Sequence, residues 1–385
     1  MALEKHSIEL MKTYNETLVY NYIRLNGAVS RADIARETKM SATSVTRIVG
    51  NLINSGLIME VGTVSGMVGR KPTMLQIIPT GALAIAGSVD YGRVETGLVN
   101  IVGEISHRQV KTTVAGMTKE DIIRTIKEQI VNILQSLCPD QLKSVVSIGI
   151  CVPGIVDVDT GEATSPQLGW NLVPIKSMCD CFNFDVIVEN NVKGCVLAEH
   201  MFGSARNEND LVVITIGTGI GAAVMLNGTV FRGKHNVAGE IGHMIIEPGG
   251  LLCDCGRRGC LQSTLCMSGL LRKTGMRYEE IVKKASAGDA NCLDILQDTA
   301  DKLSCWIANV TNIYDLESIV LYGEMLEQYP PLLSSIQSHY RKYMWNGICR
   351  EISIRKSSLK YNDLPLLSAA AVVFNNSITS KVLIR

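Results

Sequence analysis

The spacing of apolar residues predicts three short helices at the start of the chain. Residues 14–25 carry apolar side chains at helical spacing. A second helix opens at Ser30, with Asp33 three residues later as an acidic variant of the capping box. A third, Ala42–Ser55, follows the potential cap Ser41. Its predicted buried stripe consists of Val45, Ile48, Leu52 and Ile53.

Two predicted strands follow the third helix. They cover Leu57–Val61 and Met74–Ile78, and a glycine-containing loop over 62–72 joins them as a wing. Lys39 occupies the turn position that often holds glycine, so we expect a wider turn or modest backbone strain there. Residues 1–80 are therefore predicted to form a winged helix-turn-helix domain.

From about residue 83 the pattern changes to alternating buried strands and helices. The predicted strands are Ala84–Val89, Val94–Val99, Ile105–Thr113, Ser144–Val152, Leu211–Ile216 and Gly221–Leu226, and the clearest helix covers 118–137. The same succession of hairpin and crossover helix begins again after residue 205. Residues 81–385 are thus predicted to be an α/β domain of two related lobes with a cleft between them.

Composition and charge narrow the class of protein. The 385 residues are 46% hydrophobic and carry no net charge, which excludes a wholly basic coat for nucleic acid. Residues 1–80 hold nine Lys/Arg against six Asp/Glu, a mild positive excess. No signal-peptide core and no run of 18 apolar residues are present, so we expect no membrane span. The twelve cysteines are expected to be reduced thiols in the cytoplasm.

One short stretch contains four potential metal ligands. His243 precedes Cys253, Cys255 and Cys260, and these four residues are the number and type that a closed tetrahedral zinc site requires. Glycines between them allow tight turns. The alternative is a glycine-rich turn with incidental buried thiols. Arg257 among the cysteines favours an exposed loop, and we predict a structural Zn²⁺.

Several motifs together resemble the ROK family (repressors, open reading frames and sugar kinases). Gly239–His243 followed by Cys253–Leu261 is similar to the family signature, and Val152–Asp157 is similar to its Pro-Gly strand end. Glu189–Val192 falls where the kinases have Glu-Asn-Asp-Ala, and Gly217–Gly221 resembles the second phosphate loop. The resemblance covers nearly the whole chain. It implies a duplicated actin-like, ribonuclease-H-like fold behind the winged helix.

The third predicted helix places small polar and basic side chains on its outer face. Hydroxyls there can reach phosphates or base edges, and an arginine can bind a guanine. The loop Gly66–Pro72 resembles the wing of the family's repressors. The predicted DNA-contacting residues are Thr43, Ser44, Thr46, Arg47, Asn51, Arg70 and Lys71. We expect a homodimer or tetramer on a palindromic double-stranded operator. The alternative is a winged helix used for protein contacts.

The resemblance also implies a sugar pocket formed by Asn190, Asn191, Glu240, His243 and Gln262. In the family's sugar kinases, an aspartate matching Asn191 removes the proton from the attacking hydroxyl, which an amide cannot do. Gln262 likewise stands where the kinases have a glutamate. Glu240 and His243 are retained, and the counterpart of His243 binds zinc through one ring nitrogen and sugar through the other.

The elements that would bind ATP are altered as well. The first phosphate loop keeps Asp-x-Gly but carries Tyr91 and Arg93, and Glu324 would bring negative charge close to phosphates. Only Gly217–Gly221 looks intact, and a tight connection between two strands explains it equally well.

These losses favour a carbohydrate-responsive transcriptional repressor whose degenerate kinase domain senses a sugar or sugar phosphate. One alternative is a sugar kinase with an appended DNA-binding domain, which would require another base such as Asp185 or Glu189. Another is an activator or repressor that responds to a transport-system protein. We expect no catalytic residues in the leading interpretation.

Overall fold

The computed structural model of the protein describes residues 2–63, 72–114, 117–345 and 352–379. Its contacts group the chain into two compact units. The first comprises Met1–Ile150, Met178–Ile187 and Ala369–Arg385, and the second comprises Cys151–Ser177 and Val188–Ser368. The boundary predicted at residue 80 lies inside the first unit.

The chain begins with a winged helix-turn-helix, as predicted. Its elements are helices α1 (Ala2–Asn26), α2 (Arg31–Thr38) and α3 (Ala42–Asn54), and strands β1 (Val29–Ser30), β2 (Ile58–Thr63) and β3 (Thr73–Ile77). The strands pair antiparallel in the order β1-β3-β2. Helix α1 begins well before residue 14, where the predicted helix started. The prediction missed its first half because charged residues interrupt the apolar periodicity there.

Side-chain caps start α2 and α3. The Ser30 hydroxyl accepts a hydrogen bond from the Asp33 backbone, and the Asp33 carboxylate accepts one from the Ser30 backbone, which completes the predicted capping box. The Ser41 hydroxyl accepts from the Ser44 backbone at 3.1 Å. Between the helices, Lys39 adopts φ 56° and ψ 26°. This left-handed conformation is the modest strain expected of a non-glycine residue in the turn.

Helix α3 buries a wider face than predicted. Val45, Ile48 and Leu52 are buried, but Val49 is also buried and Ile53 is only half-buried. The difference arises because α3 packs against both α1 and α2.

The rest of the chain alternates strands and helices. The strands are β4 (Leu83–Asp90), β5 (Arg93–Asn100), β6 (Ile105–Thr112), β7 (Val145–Val152), β8 (Ile155–Asp157), β9 (Glu162–Ser165), β10 (Trp170–Pro174), β11 (Val186–Asn190), β12 (Leu211–Ile216), β13 (Ile220–Leu226), β14 (Thr229–Val230), β15 (Ser318–Tyr322) and β16 (Ser353–Lys356). The helices are α4 (Lys119–Ser136), α5 (Pro139–Ser144), α6 (Ile175–Met178), α7 (Asn191–Phe202), α8 (Leu261–Leu265), α9 (Met267–Thr274), α10 (Tyr278–Ser286), α11 (Ala290–Tyr314), α12 (Glu324–Gln328), α13 (Pro331–Tyr343) and α14 (Leu364–Thr379).

Two five-stranded sheets organise these elements. Their strand orders are β11-β7-β4-β5-β6 and β14-β13-β12-β15-β16. Each contains an antiparallel hairpin, β4–β5 in one and β12–β13 in the other. In the second sheet, β15 pairs parallel with both β12 and β16. The recurring hairpin confirms the predicted duplication of an α/β arrangement.

The second sheet has an extensive apolar core that supports the candidate site. Buried Tyr278, Leu303 and Trp306 belong to the same cluster as Ile214 and Leu321 of the central strands. Helices α10 and α11 therefore cover this sheet with large side chains. None of the helices among the residues described above combines the length and apolarity needed to cross a bilayer.

Candidate functional site

The exposed face of α3, which we call the recognition helix, presents a small polar surface. Thr43, Thr46 and Arg47 are exposed, whereas Ser44 is half-buried and shares a hydrogen bond of 2.9 Å with the Ser41 hydroxyl. Within the described part of the chain, Arg47 forms no ion pair, so its guanidinium is available to bind a group outside the protein. The predicted contacts Arg70 and Lys71 lie outside the described residues.

Asn51 does not lie on the outer face as predicted. It is half-buried, and its amide donates a hydrogen bond of 3.1 Å to the carboxylate of Glu16, a buried residue of α1. The face of α3 towards α1 is wider than its apolar stripe indicates, so Asn51 helps to hold the two helices together.

The four predicted metal ligands come together in what we call the Cys/His cluster: His243, Cys253, Cys255 and Cys260. One ligand atom from each lies within 4.8 Å of all the others. The Cys253 Sγ to His243 Nδ1 distance is 3.5 Å, and the Cys255 Sγ to Cys260 Sγ distance is 3.6 Å. Around tetrahedral zinc, bond lengths of about 2.3 Å to sulfur and 2.05 Å to nitrogen would give separations of about 3.6 and 3.8 Å. The donor set therefore fits a divalent metal ion.

Local backbone geometry closes the loop that carries these cysteines. Gly259 has φ 77°, and a Cβ there would lie 1.7 Å from the Glu247 carbonyl oxygen, so only glycine fits. Glu247 also forms an ion pair of 2.7 Å with Lys302 of α11. Burial opposes ionisation of the Cys255 thiol, but hydrogen bonds from Arg257 and the neighbouring thiols lower its pKa to about 7. A thiol with this pKa supplies a thiolate ligand readily.

His243 connects the Cys/His cluster to the predicted sugar pocket. Its Nδ1 faces Cys253, while its Nε2 lies 4.0 Å from the exposed carboxylate of Glu240. The Gln262 amide lies beside Gly219 and Gly242, since a Cβ on either glycine would stand 3.6 Å from Gln262 Oε1. The structure thus places Glu240 next to His243, and Gln262 next to the glycine-rich turn.

The two adjacent asparagines occupy different environments. Asn190 caps α7: its Oδ1 accepts from the backbones of Val192 and Lys193, and its Nδ2 donates 2.7 Å to the Gly154 carbonyl. Asn190 is 93% buried, being 7% exposed. These bonds use three of the four hydrogen-bonding positions of its amide, so Asn190 helps to hold the fold together, and its contact with a ligand stays a prediction. Asn191 is the half-buried first residue of α7.

Sequence reasoning missed a group of buried charges beside this site. Glu189 is 1% exposed, accepts a hydrogen bond from the Asn190 backbone and forms a close ion pair with Arg232. Lys193 is 2% exposed, and its ammonium donates to the Asn236 carbonyl. The only sequence signal was the presence of a lysine within the otherwise apolar start of α7.

The glycine-rich turn is closed by its own backbone. The Gly217 N–H donates to the Gly219 carbonyl at 2.9 Å, so that group is engaged within the turn. Glu324 lies against Gly217, with its backbone nitrogen 3.7 Å from a Cβ placed there. The turn is therefore a tight connection between β12 and β13 that has a carboxylate-bearing residue beside it.

The counterpart in the first sheet is a β-hairpin turn between β4 and β5. Tyr91 is exposed at its tip, and Gly92 has φ 80°. Arg93 forms an ion pair of 3.0 Å with buried Glu95, which also binds Arg108. The Arg93 guanidinium is thus engaged with a carboxylate of its own sheet.

Comparison with known proteins agrees with this arrangement. A sequence family described as winged helix-turn-helix DNA-binding matches residues 13–59, and the ROK family matches residues 86–375. The chain is 28% identical to the xylose repressor of Bacillus spizizenii over 375 residues, covering 95% of this chain and 96% of that protein. It is 27% identical to the DNA-binding transcriptional dual regulator NagC of Escherichia coli, covering 86% of each.

A solved structure extends the likeness to three dimensions. The crystal structure of a ROK family transcriptional regulator, a homologue of the E. coli MLC protein, superposes with a TM-score of 0.80 at 25% identity. The match covers 97% of this chain and 99% of that chain. With a winged helix-turn-helix in front of an actin-like domain and the family match over 86–375, the chain belongs to the ROK family.

Proposed function

We propose that this protein is a carbohydrate-responsive, DNA-binding transcriptional repressor. Its kinase-like domain senses a sugar or sugar phosphate instead of phosphorylating it. The observation that carries this proposal is Asn191 at the start of α7, where the resemblance places the catalytic aspartate of the kinases. An amide does not remove a proton from a hydroxyl, whereas it donates and accepts hydrogen bonds to one.

The DNA-binding half of the proposal rests on the recognition helix. Thr43, Thr46 and Arg47 are exposed on the N-terminal half of this helix, the part that enters the major groove in helix-turn-helix proteins. Arg47 is suited to a bidentate contact with guanine. One winged helix makes few contacts, so we propose a homodimer or tetramer on a palindromic operator in the cytoplasm.

A structural zinc ion is the second part of the proposal. The Cys/His cluster has the donor types and spacings of a closed tetrahedral site, and every ligand position is filled by protein. The metal would fix the His243 ring through Nδ1 and leave Nε2 directed towards Glu240. Its role is to hold the ring in place.

The sensor site is proposed at Asn191, Glu240, His243 and Gln262. The carboxylate and the ring nitrogen of Glu240 and His243 are suited to adjacent sugar hydroxyls. The names of the relatives point to xylose and N-acetylglucosamine as sugars to test, since they include a xylose repressor and an N-acetylglucosamine repressor.

A sugar kinase with an appended DNA-binding domain is the alternative function. It needs a base near Asn191, and Glu189 is buried and paired with Arg232. It also needs an ATP site, and Glu324 adds a negative charge to the helix that begins beside the glycine-rich turn. These contacts favour the sensor. Control by a transport-system protein is the remaining alternative, and it predicts no response to free sugar.

The test of the sensor site is a thermal-shift screen of the purified zinc-loaded protein. The panel contains xylose, glucose, N-acetylglucosamine and their phosphates, each tested on the wild type and on Glu240→Ala. We expect one compound to raise the melting temperature of the wild type but not of the variant. Equal shifts in both proteins would move the sensor away from Glu240, and no shift with any carbohydrate would favour the protein-controlled alternative.

A further inference from the structure

A buried glutamate near the end of β11 and a buried lysine near the start of α7 flank the junction of these two elements. Lys193 is 2% exposed and Glu189 is 1% exposed. Lysine and glutamate are almost never this buried unless they are paired, because moving a charge out of water is costly. Replacing such groups by apolar residues often leaves stability unchanged or improves it. Core stability therefore does not explain why Lys193 and Glu189 are charged, and their contacts indicate another role.

Both side chains contact the same segment, residues 231–240, which we call the pocket segment: Lys193 through the segment's backbone and Glu189 through one of its side chains. The Lys193 ammonium donates 2.5 Å to the Asn236 carbonyl, and Glu189 forms its ion pair with Arg232. Asn236 has φ 58°, a left-handed conformation that asparagine tolerates better than most residues. α7 and its preceding strand thus hold the pocket segment at two points, four residues apart.

The pocket segment has little structure of its own to hold it. Its first residue, Phe231, donates its N–H to the Val224 carbonyl and packs its ring edge-on against Tyr314. The other backbone bonds are local: Ala238 N–H to Arg232, Glu240 N–H to Val237, Ile241 N–H to Gly239 and His243 N–H to Glu240. Lys234 and His235 in the middle of the segment are exposed, so these side chains add no buried packing to hold it in place. Among the described contacts, the bonds to Glu189 and Lys193 are those that join its middle to β11 and α7.

The pocket segment ends at Glu240. Gly239 has φ 92°, and a Cβ there would lie 2.6 Å from the Ala222 carbonyl oxygen, so the backbone runs close against β13 immediately before Glu240. Burial lowers the pKa of Lys193, and the carboxylates of Glu189 and Glu240 oppose that shift, which shows that Glu240 lies within the electrostatic reach of the ammonium. Lys193 therefore holds the backbone at Asn236, three residues before the close approach at Gly239.

We propose that Lys193 and Arg232 are positioning residues, which tie the pocket segment to the start of α7 and thereby set the position of Glu240 for ligand recognition. The role of Glu240 rests on the proposed function. The tie itself does not, and it is tested without a ligand. The contacts that carry the proposal are the two anchor points on a segment that otherwise has few bonds to its neighbours.

Hydrogen–deuterium exchange of the full-length, zinc-loaded protein tests the tie. Lys193→Met keeps the side-chain length and removes the charge, and Lys234→Met is the matched control on the exposed part of the same segment. We expect amides of 231–240 to exchange at least about tenfold faster in Lys193→Met, since a charge-assisted hydrogen bond contributes at least that factor. Exchange in α11 and in the control should match the wild type. Unchanged exchange in the pocket segment would overturn the proposal.

A second variant tests the same proposal independently, in case Lys193→Met does not fold. Glu189→Gln with Arg232→Met removes both partners of the other tie together, while Lys193 keeps its bond to the Asn236 carbonyl and the nearby carboxylate of Glu240. The same acceleration confined to 231–240 is expected, and wild-type exchange in this double variant would equally overturn the proposal.

Sugar affinity tests the consequence for Glu240. With whichever panel compound stabilises the wild type, the dissociation constant should rise about tenfold or more in Lys193→Met and stay unchanged in Lys234→Met. Faster exchange with unaltered sugar affinity would show that the tie is structural only and would overturn the positioning role. If the wild type binds none of the panel, the proposed function fails, and the exchange experiment alone decides whether the tie exists.

Discussion

The cap of α7 provides a sharp prediction, because Asn190 makes three hydrogen bonds with a single amide. Its Oδ1 accepts from the Val192 and Lys193 backbones at 2.9 and 3.0 Å, and its Nδ2 donates to the Gly154 carbonyl at 2.7 Å. Asn190→Ala removes all three bonds. It also leaves the Gly154 carbonyl without this partner.

The magnitude follows from these contacts. Losing an N-cap costs about 1 kcal/mol, and stranding a partly buried carbonyl costs roughly 1–3 kcal/mol more. A loss of about 2–4 kcal/mol corresponds to a fall of roughly 4–16 °C in the melting temperature of a unit of 150–250 residues. Asn190→Asp separates the two contributions, because a carboxylate still caps the helix but cannot donate to Gly154.

Differential scanning calorimetry at one scan rate measures both effects. Asn171→Ala, on an exposed position of β10, is the control and should change stability by less than about 0.5 kcal/mol. Asn190→Asp should melt between the wild type and Asn190→Ala, since it keeps only the cap. An Asn190→Ala protein that melts with the wild type would refute the structural role of Asn190 and favour its predicted contact with sugar.

Three further predictions concern other parts of the chain. Cys255→Ser should lose the bound zinc, measured by atomic absorption, and melt lower, because structural zinc contributes folding free energy directly; one zinc per chain in the variant would contradict the metal site. Arg47→Ala should weaken binding to a selected operator by about 1–3 kcal/mol in a gel-shift titration if it reads a base, whereas Lys143→Ala, an exposed charge-matched control, should not. Lys39→Gly should raise stability by about 1 kcal/mol in urea titration, because Lys39 has a left-handed backbone; a destabilised variant would show that no strain is relieved.

The sequence predicted those features that depend on neighbouring residues. The capping box of Ser30 and Asp33, the cap at Ser41 and six of the ten strands in the two five-stranded sheets follow from short-range patterns, and the structure contains them. The Cys/His cluster was also predictable as a group of neighbouring residues, because a short glycine-containing loop carries the three cysteines close to His243.

The features that were missed join segments far apart in the chain. Asn51 was expected to face DNA, but its amide meets Glu16, which lies 35 positions earlier. Lys193 binds a carbonyl 43 positions later. Periodicity within one helix identifies its apolar face, and it does not identify which polar residue at the edge of that face has a buried partner. The role of Asn190 escaped for the same reason, since Gly154 lies 36 positions before it.

The most direct test of the central claim combines DNA release with phosphate transfer. The operator is obtained by selection from random duplexes, and its complex with the full-length protein is titrated with the stabilising sugar while phosphate transfer from ATP is followed in parallel. A hundredfold loss of operator affinity requires a difference of about 2.7 kcal/mol between the affinities of the sugar for the free and DNA-bound forms. The account predicts release by sugar without ATP, no phosphorylated sugar, and an unresponsive Glu240→Ala protein that still binds the operator. Phosphorylated sugar made by the wild type, or an operator complex unaffected by every sugar tested, would contradict it.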